Sequence, residues 1–156
     1  MKIEAVFFDM DGTIANLYGV RDWLPRLRAY DASPYVEADT LVDLTQLIKL
    51  LDKLGEKGIH RGIISWGSMV SPPFYQTVTK AAKIYWLHVH DLQNRFEEIH
   101  VIKYGTPKHY IPKKPHRGGV LVDDNDDVCA DWEKHGGIAV NAKNPGWVQE
   151  LLELCE

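Results

Sequence analysis

The sequence predicts an α/β protein whose core is a doubly wound, mostly parallel sheet of five strands. Short apolar, β-branched runs alternate along the chain with longer runs that have helical spacing. Strands separated by helices are joined by crossovers, which produce parallel sheets covered on both faces. The 156 residues, of which 45% are hydrophobic and 26% charged, are ordinary for one globular domain. Ligands of such sheets bind at the carboxyl ends of the strands, so we expect the functional residues there.

Five segments have the composition of strands. The first is a continuous apolar run, which is typical of a strand buried on both faces. The third alternates apolar and polar residues, and the other three are short and rich in valine or isoleucine. The predicted strands are residues 3–9, 59–65, 98–103, 120–123 and 138–141.

Helical spacing predicts four helices between and after these strands. Asp39 or Thr40 would cap the first, which Gly55 would end. Pro72 and Pro73 open the second. The third passes through residues 128–132, and the last follows Asn144 and Pro145. The predicted buried side of the second helix consists of Val78, Ala81, Ala82 and Tyr85.

Charge and composition limit the classes of function. The chain has 18 basic and 22 acidic residues, so its net charge of -4 argues against broad nucleic-acid or membrane binding through bulk positive charge. Two cysteines suit a reducing compartment, and neither a signal peptide nor a run of about 20 apolar residues is evident. We therefore expect one cytoplasmic domain over residues 1–156, without a membrane partner. Residues 14–37 lack clean periodicity and are a candidate short cap or flap.

Two aspartates follow the first predicted strand. The stretch Asp9-Met10-Asp11-Gly12-Thr13 begins where that strand ends, and Gly12 lets the chain turn at once. Carboxylates suit a hard cation such as Mg²⁺, and a carboxylate can also attack phosphorus. A solvated acidic turn is the alternative, but the buried strand before the motif fixes where both acids point. We therefore expect this motif to carry the chemistry.

A second acidic run, Asp123-Asp124-Asn125-Asp126-Asp127, follows the fourth predicted strand. Four acids in five residues repel one another unless a cation lies among them. Asp126 and Asp127 also suit the first turn of a helix, where the macrodipole favours acids. With Asp9 and Asp11, these side chains form a predicted divalent-metal site of six aspartates.

Weaker candidates lie near the other strands. Ser65 ends the second predicted strand, and its hydroxyl, with the backbone amides of Trp66 and Gly67, would suit a bound anion. Lys113 and Lys114 precede the fourth strand, and a lysine near a phosphoryl group neutralises charge in the transition state. Position alone selects neither lysine, since lysines in a proline-rich loop are usually solvated.

Together these motifs resemble the haloacid dehalogenase superfamily of phosphohydrolases. The resemblance rests on DMDGT after an apolar strand, a hydroxyl after a second strand, a lysine, and VLVDDNDD after a fourth strand, from residue 3 to residue 127. It implies a Rossmann-like core with a minimal cap or none, and Mg²⁺ as the cofactor. It also implies an enzyme, a phosphatase that forms an aspartyl-phosphate intermediate.

The resemblance implies a role for each matching residue. Asp9 would take the phosphoryl group, while Asp11 would protonate the leaving oxygen and then activate water. Thr13 and Ser65 would contact the phosphoryl group. The implied Mg²⁺ ligands are Asp9, the backbone carbonyl of Asp11, and Asp124, with Asp123 or Asp127 in support.

One branch, the 5'(3')-deoxyribonucleotidases, is similar around FFDMDGTIANLYG and places its lysine ten residues before its Asp-Asp pair. That spacing selects Lys113, with Lys103, Lys108 and Lys114 as rivals. The resemblance to this branch also implies a nucleotide or deoxynucleotide monophosphate as substrate. Residues 16–37 are too short for that branch's helical lid, so a nucleic-acid end or a substrate covered by a second subunit of an oligomer stays open. Aromatic residues available for stacking on a base are Tyr18, Trp23, Tyr30 and Tyr35.

Three hypotheses follow from these motifs. The first is a Mg²⁺-dependent phosphatase of nucleoside monophosphates. The second is a phosphatase of polynucleotide 3'-ends, which shares the same chemistry. The third, of another class, is a protein that binds a phosphorylated ligand without turnover.

Overall fold

The computed structural model describes residues 2–156, which form seven β-strands and six α-helices. The strands are β1 (Ala5–Phe8), β2 (Ala15–Asn16), β3 (Asp39–Thr40), β4 (His60–Trp66), β5 (Glu98–Ile102), β6 (Val120–Asp123) and β7 (Ile138–Asn141). The helices are α1 (Trp23–Arg28), α2 (Ser33–Glu37), α3 (Leu44–Glu56), α4 (Pro73–Val89), α5 (Asp126–Lys134) and α6 (Trp147–Leu154).

Five of these strands form one sheet in the order β5-β4-β1-β6-β7, and every neighbouring pair is parallel. The predicted α/β class and five-stranded parallel sheet are therefore confirmed. The chain runs outward from β1 to β4 and β5, then crosses to β6 on the other side of β1. Strand order thus reverses around β1, and the carboxyl ends of β4, β1 and β6 meet at this reversal.

The central strand β1 is buried on both faces because every residue in it is apolar. Val6 and Phe8 belong to the larger core, which includes leucines of α3, Trp86 of α4 and Leu151 of α6. Ala5 and Phe7 point the other way, toward Val128 and Trp132 of α5. Helices on both faces hold β1 in a fixed position, and this fixes the residues at its carboxyl end.

Residues 17–38, which we call the flap, leave the core after β2 and return through β3. These two short strands pair antiparallel, with Ala15 opposite Thr40 and Asn16 opposite Asp39. Between them lie a 3₁₀ turn at Leu17–Gly19 and the helices α1 and α2. Leu17, Leu27 and Tyr35 of the flap form a small core with Ala82 of α4. The flap therefore packs against the domain beside the carboxyl end of β1.

Two details of the helices differ from the prediction. The side chain of Asp43 caps α3 by accepting from the amide of Gln46 at 3.0 Å, whereas Asp39 and Thr40 lie in β3. In α4, Val78 and Tyr85 are exposed. Its buried side consists of Tyr75, Thr79, Ala82, Lys83, Trp86 and Leu87.

None of the helices described in residues 2–156 combines the length and apolar character needed to cross a membrane.

Candidate active site

The two acidic motifs meet because β1 and β6 are neighbours. Phe8 is paired with Val122, and the amide of Asp9 donates to the carbonyl of Val122 at 2.9 Å. Gly12 has a φ of 82°, and a Cβ there would lie 2.2 Å from a carboxylate oxygen of Asp124. Glycine is required at this position both by its backbone conformation and by the close approach of the second motif.

Asp9 lies almost fully inside this junction, with 7% of its surface exposed. Lys108 Nζ donates to one of its carboxylate oxygens at 3.0 Å, and Thr13 Oγ1 donates to the other at 3.2 Å. Thr13 was predicted to contact the substrate. It is buried instead, and its hydroxyl orients Asp9. Two donors hold the carboxylate of Asp9 in one orientation, as a nucleophile requires.

Asp123 and Asp124 have different surroundings although they are adjacent. One oxygen of Asp123 accepts from Lys108 Nζ at 2.7 Å, and the other accepts from the amide of Asn125 at 3.0 Å. Burial and then repulsion from Asp9 raise the pKa of Asp123 to about 6. The same two causes raise the pKa of Asp124 to about 8. The charge of Lys108 opposes this shift at Asp123, whereas Asp124 is repelled by both Asp9 and Asp123.

Asp9, Asp123 and Asp124 fit a hard divalent cation. Each offers a carboxylate oxygen, and these oxygens lie within 4.8 Å of one another. All the donors are oxygen atoms, the ligand type that Mg²⁺ prefers, and the raised pKa of Asp124 reflects a site that gains from added positive charge. The side chain of Asp11 lies outside this group, and its carboxylate accepts a hydrogen bond from Lys83.

The acidic run after β6 divides into two parts. Asp126 and Asp127 are exposed in the first turn of α5, where Asp126 pairs with Lys143 at 2.7 Å. Asn125 caps this helix by accepting from the amides of Asp127 and Val128. The prediction that six aspartates surround one cation was therefore wrong, and Asp127 lies outside the cluster that it was expected to support.

The lysine beside Asp9 is Lys108, whereas Lys113 and Lys114 are exposed. The segment between β5 and β6 must run from the carboxyl end of one strand to the amino end of the next. Lys108 lies early in this segment, at the carboxyl ends. Pro115 and His116 lie beside Lys2 and Glu4, before β1, at the opposite edge of the sheet. The ten-residue spacing that selected Lys113 therefore identified a residue near the wrong edge.

Several contacts fix Lys108. It lies in a 3₁₀ turn, Lys108–Tyr110, whose His109 is 2.9 Å from a carboxylate oxygen of Asp131 and stacks on His135 of the α5 terminus. The Nζ of Lys108 also lies 5.5 Å from the ring centre of Trp66. Burial alone would lower the pKa of Lys108, but the charges of Asp9 and Asp123 raise it above its ordinary value. The two carboxylates therefore favour the charged form of Lys108.

A second buried lysine, Lys83 of α4, was missed by the sequence analysis. Its Nζ donates to a carboxylate oxygen of Asp11 at 2.7 Å and to Ser65 Oγ at 2.7 Å. Burial raises the pKa of Asp11, although the charge of Lys83 opposes this shift. Ser65 is fully buried and faces Lys83. A raised pKa favours the protonated form that a general acid needs.

Of the two backbone amides predicted to bind an anion, the amide of Gly67 is already used within the protein, and the amide of Trp66 stays a prediction. The Gly67 amide donates to the carbonyl of Ile102 at 2.7 Å. The indole N–H of Trp66 donates to the carbonyl of Thr106 at 2.8 Å, and its carbonyl accepts from Lys83. Trp66 therefore contacts Lys83 through its carbonyl and Lys108 through its ring.

A cavity of about 450 Å³ opens beside Asp11, between the flap and the loop after β4. Tyr18 and Trp23 line it and contact each other edge to face, with ring centres 4.9 Å apart. Tyr30, also expected near a base, packs instead on Phe74 and Tyr75. The cavity is also lined by Leu24, Arg28, Tyr35, Met69, Val70 and Tyr104.

Comparison with known proteins identifies the fold. No protein-family model matches the sequence. No curated protein sequence matches it either. Two solved structures match over 99% of this chain: a haloacid dehalogenase-like family hydrolase from Streptococcus pneumoniae, with a TM-score of 0.67, 13% identity and 99% of its own chain covered, and a predicted HAD-like family hydrolase from Porphyromonas gingivalis, with a TM-score of 0.61, 13% identity and 98% covered. The chain therefore has the fold of haloacid dehalogenase-like hydrolases.

Proposed function

We propose that this protein is a haloacid dehalogenase-superfamily enzyme, a Mg²⁺-dependent phosphomonoester hydrolase with Asp9 as its nucleophile. The observation that carries the proposal is the arrangement around Asp9. A buried carboxylate is oriented by Lys108 and Thr13, and Asp11 and Asp124 lie in the same junction. A binding protein without turnover has no need of an oriented carboxylate beside a protonatable acid.

The proposed reaction has two steps. In the first, a carboxylate oxygen of Asp9 forms a bond to phosphorus while the bond from phosphorus to the leaving oxygen breaks, and Asp11 gives that oxygen its proton. In the second, water attacks phosphorus, gives a proton to Asp11 and releases phosphate from Asp9. Lys108 remains charged throughout and stabilises the negative charge of the transferring group.

Asp9, Asp124 and the backbone carbonyl of Asp11 are the proposed ligands of Mg²⁺. An ion bound there would neutralise negative charge on the carboxylates and on the phosphoryl group. Asp123 is the proposed support, since its oxygens already bind Lys108 and the Asn125 amide.

We propose nucleoside monophosphates as the substrates because of the cavity beside Asp11. A volume of about 450 Å³ suits a nucleoside. Its aromatic side chains, Tyr18 and Trp23, suit a flat base, and it opens next to the acid that would protonate the leaving oxygen. In this proposal the flap takes the place of the larger helical lid of the deoxyribonucleotidase branch.

The decisive test of the chemistry is hydrolysis of p-nitrophenyl phosphate with Mg²⁺ and with EDTA. We expect activity that EDTA abolishes and Mg²⁺ restores. Asp9→Asn should lower kcat by at least about 10³-fold, because the amide cannot form the acyl phosphate. Wild-type protein that binds nucleotides tightly but never releases phosphate would refute the enzyme and support a binding protein.

Substrate class is tested separately with a panel of nucleoside monophosphates and a 3'-phosphorylated oligonucleotide. We expect a higher kcat/KM on the mononucleotides than on the oligonucleotide. We also expect Trp23→Ala to lower kcat/KM more for nucleotides than for p-nitrophenyl phosphate. A preference of several orders of magnitude for the oligonucleotide would make the protein a polynucleotide-end phosphatase.

A further inference from the structure

Lys83 is a buried charge in the middle of a helix. It lies in α4, its neighbours along the buried side are Thr79, Ala82 and Trp86, and only 1% of its surface is exposed. Removing an ammonium group from water is strongly unfavourable unless it is paired and hydrogen-bonded. An apolar side chain would suit the packing of α4 at this position. Packing alone therefore does not explain why a lysine is found here.

The bonding partners of Lys83 belong to the proposed active site. Its Nζ donates to Asp11 Oδ2 at 2.7 Å, to Ser65 Oγ at 2.7 Å and to the carbonyl of Trp66 at 2.8 Å. An ammonium group has three N–H donors, and these three acceptors use all of them. Lys83 therefore has no donor left for a substrate and must act through the groups that it holds.

These bonds join two strands. Asp11 follows β1, and Ser65 and Trp66 end β4, so Lys83 ties the acidic motif to the neighbouring strand. The other buried lysine serves a different pair, because Lys108 binds Asp9 and Asp123. One lysine thus holds the proposed nucleophile and the other holds the proposed acid.

The flap covers Lys83 from the outer side. The ring of Tyr35 lies 4.8 Å from Nζ, and the hydroxyl of Tyr35 is hydrogen-bonded to Ser68. An aromatic face stabilises a cation and excludes water from it. Lys83 is therefore enclosed between Asp11, the end of β4 and the flap, which limits the orientations open to Asp11.

We infer that Lys83 is a positioning residue that orients Asp11 for proton transfer to the leaving oxygen. This inference rests on the proposed function. Asp11 alone gives its proton to the leaving oxygen and later receives one from water, and Lys83 takes no part in this proton transfer. Its contribution is greatest when the leaving group is a poor one that cannot depart without a proton.

The test is the dependence of Lys83→Met on the leaving group. With an alkyl phosphate such as glycerol 2-phosphate, proton transfer contributes most, and we expect kcat to fall by about 10²-fold or more. With p-nitrophenyl phosphate, whose leaving group departs as an anion, we expect a fall of less than about tenfold. Lys80→Met, at an exposed lysine one turn earlier in α4, is the matched control.

A second measurement covers the possibility that Lys83→Met folds poorly. Lys83→Arg keeps the charge but changes the geometry, and we expect the same selective loss on the alkyl phosphate. In an Asp11→Asn background, Lys83→Arg should cost little further activity, because residues that act together are not additive.

Equal losses on both substrates, or full additivity with Asp11→Asn, would overturn the role of Lys83 while leaving the proposed function in place. A wild-type protein inactive on both phosphates and on the nucleoside monophosphates would overturn both.

Discussion

The charged residues of this protein fall into two groups that look alike in the sequence. At the carboxyl ends of the central strands, Lys83 and Lys108 are buried and each bonds two polar side chains. Elsewhere, Lys113 and Lys114 are exposed near the other edge of the sheet. The difference shows that the burial and pairing of a charged side chain depend on its position relative to the strand ends. They do not depend on its distance along the chain from a motif.

The largest effect should separate the two kinds of lysine. Lys108→Met should lower kcat/KM for p-nitrophenyl phosphate by about 10²–10³-fold, because it removes the cation beside Asp9. Lys113→Met should change it by no more than about twofold, as expected for an exposed side chain. The measurement is steady-state hydrolysis with saturating Mg²⁺, with circular dichroism of both variants as the folding control. Similar losses in the two variants would remove the distinction.

An intermediate effect should separate the two kinds of aspartate. Asp124→Asn should raise the Mg²⁺ concentration for half-maximal activity by about 10- to 100-fold or more, since it removes a proposed ligand. Asp127→Asn, at an exposed position of the α5 N-terminus, is the matched control and should leave this concentration unchanged. Mg²⁺ titrations of activity decide the matter, and a larger shift for Asp127→Asn would contradict our assignment.

The smallest effect is on stability and its dependence on pH. The pKa values of Asp123 and Asp124, about 6 and about 8, lie above the 3.8 of an ordinary aspartate. Between these values the folded protein holds more protons than the unfolded chain, so without metal its stability should fall as the pH rises from about 4 to about 8. Mg²⁺ needs the charged carboxylates, so the increase in Tm that it causes should be larger at the upper end of this range.

Thermal unfolding of EDTA-treated and Mg²⁺-loaded protein at about pH 5.5 and about pH 8 measures both effects. Asp124→Asn should flatten the dependence on pH of the metal-free protein, because its amide does not titrate. A metal-free Tm that increases between these two pH values would show that other groups dominate.

The predicted parts of the site are those fixed by a strand end. Asp9 and Asp124 could be placed together from the sequence because each follows a buried apolar run, and parallel strands bring their carboxyl ends to one edge. Ser65 could be placed at the same edge for this reason, although its burial under Lys83 could not be foreseen.

The two lysines could not be predicted so simply. Lys108 lies in a crossover that spans the full height of the sheet, and spacing does not show where in such a segment the chain leaves the carboxyl edge. Lys83 lies in a helix with two apolar stripes, and the predicted one is exposed except at Ala82. The stripe of Tyr75, Thr79, Ala82 and Trp86 carried the signal, since a lysine beside these residues needs a buried anion as its partner.

The place of β1 in the sheet also has a consequence for how the chain folds. β1 is formed by the first residues of the described chain but becomes the middle strand, with β4 on one side and β6 on the other. Until residues 120–123 are available, the side of β1 that faces β6, where the amide of Asp9 donates to the carbonyl of Val122, is an unpaired edge, open to pairing with another molecule. A nascent or truncated chain that ends before β6 should therefore aggregate, and it also lacks Asp123 and Asp124.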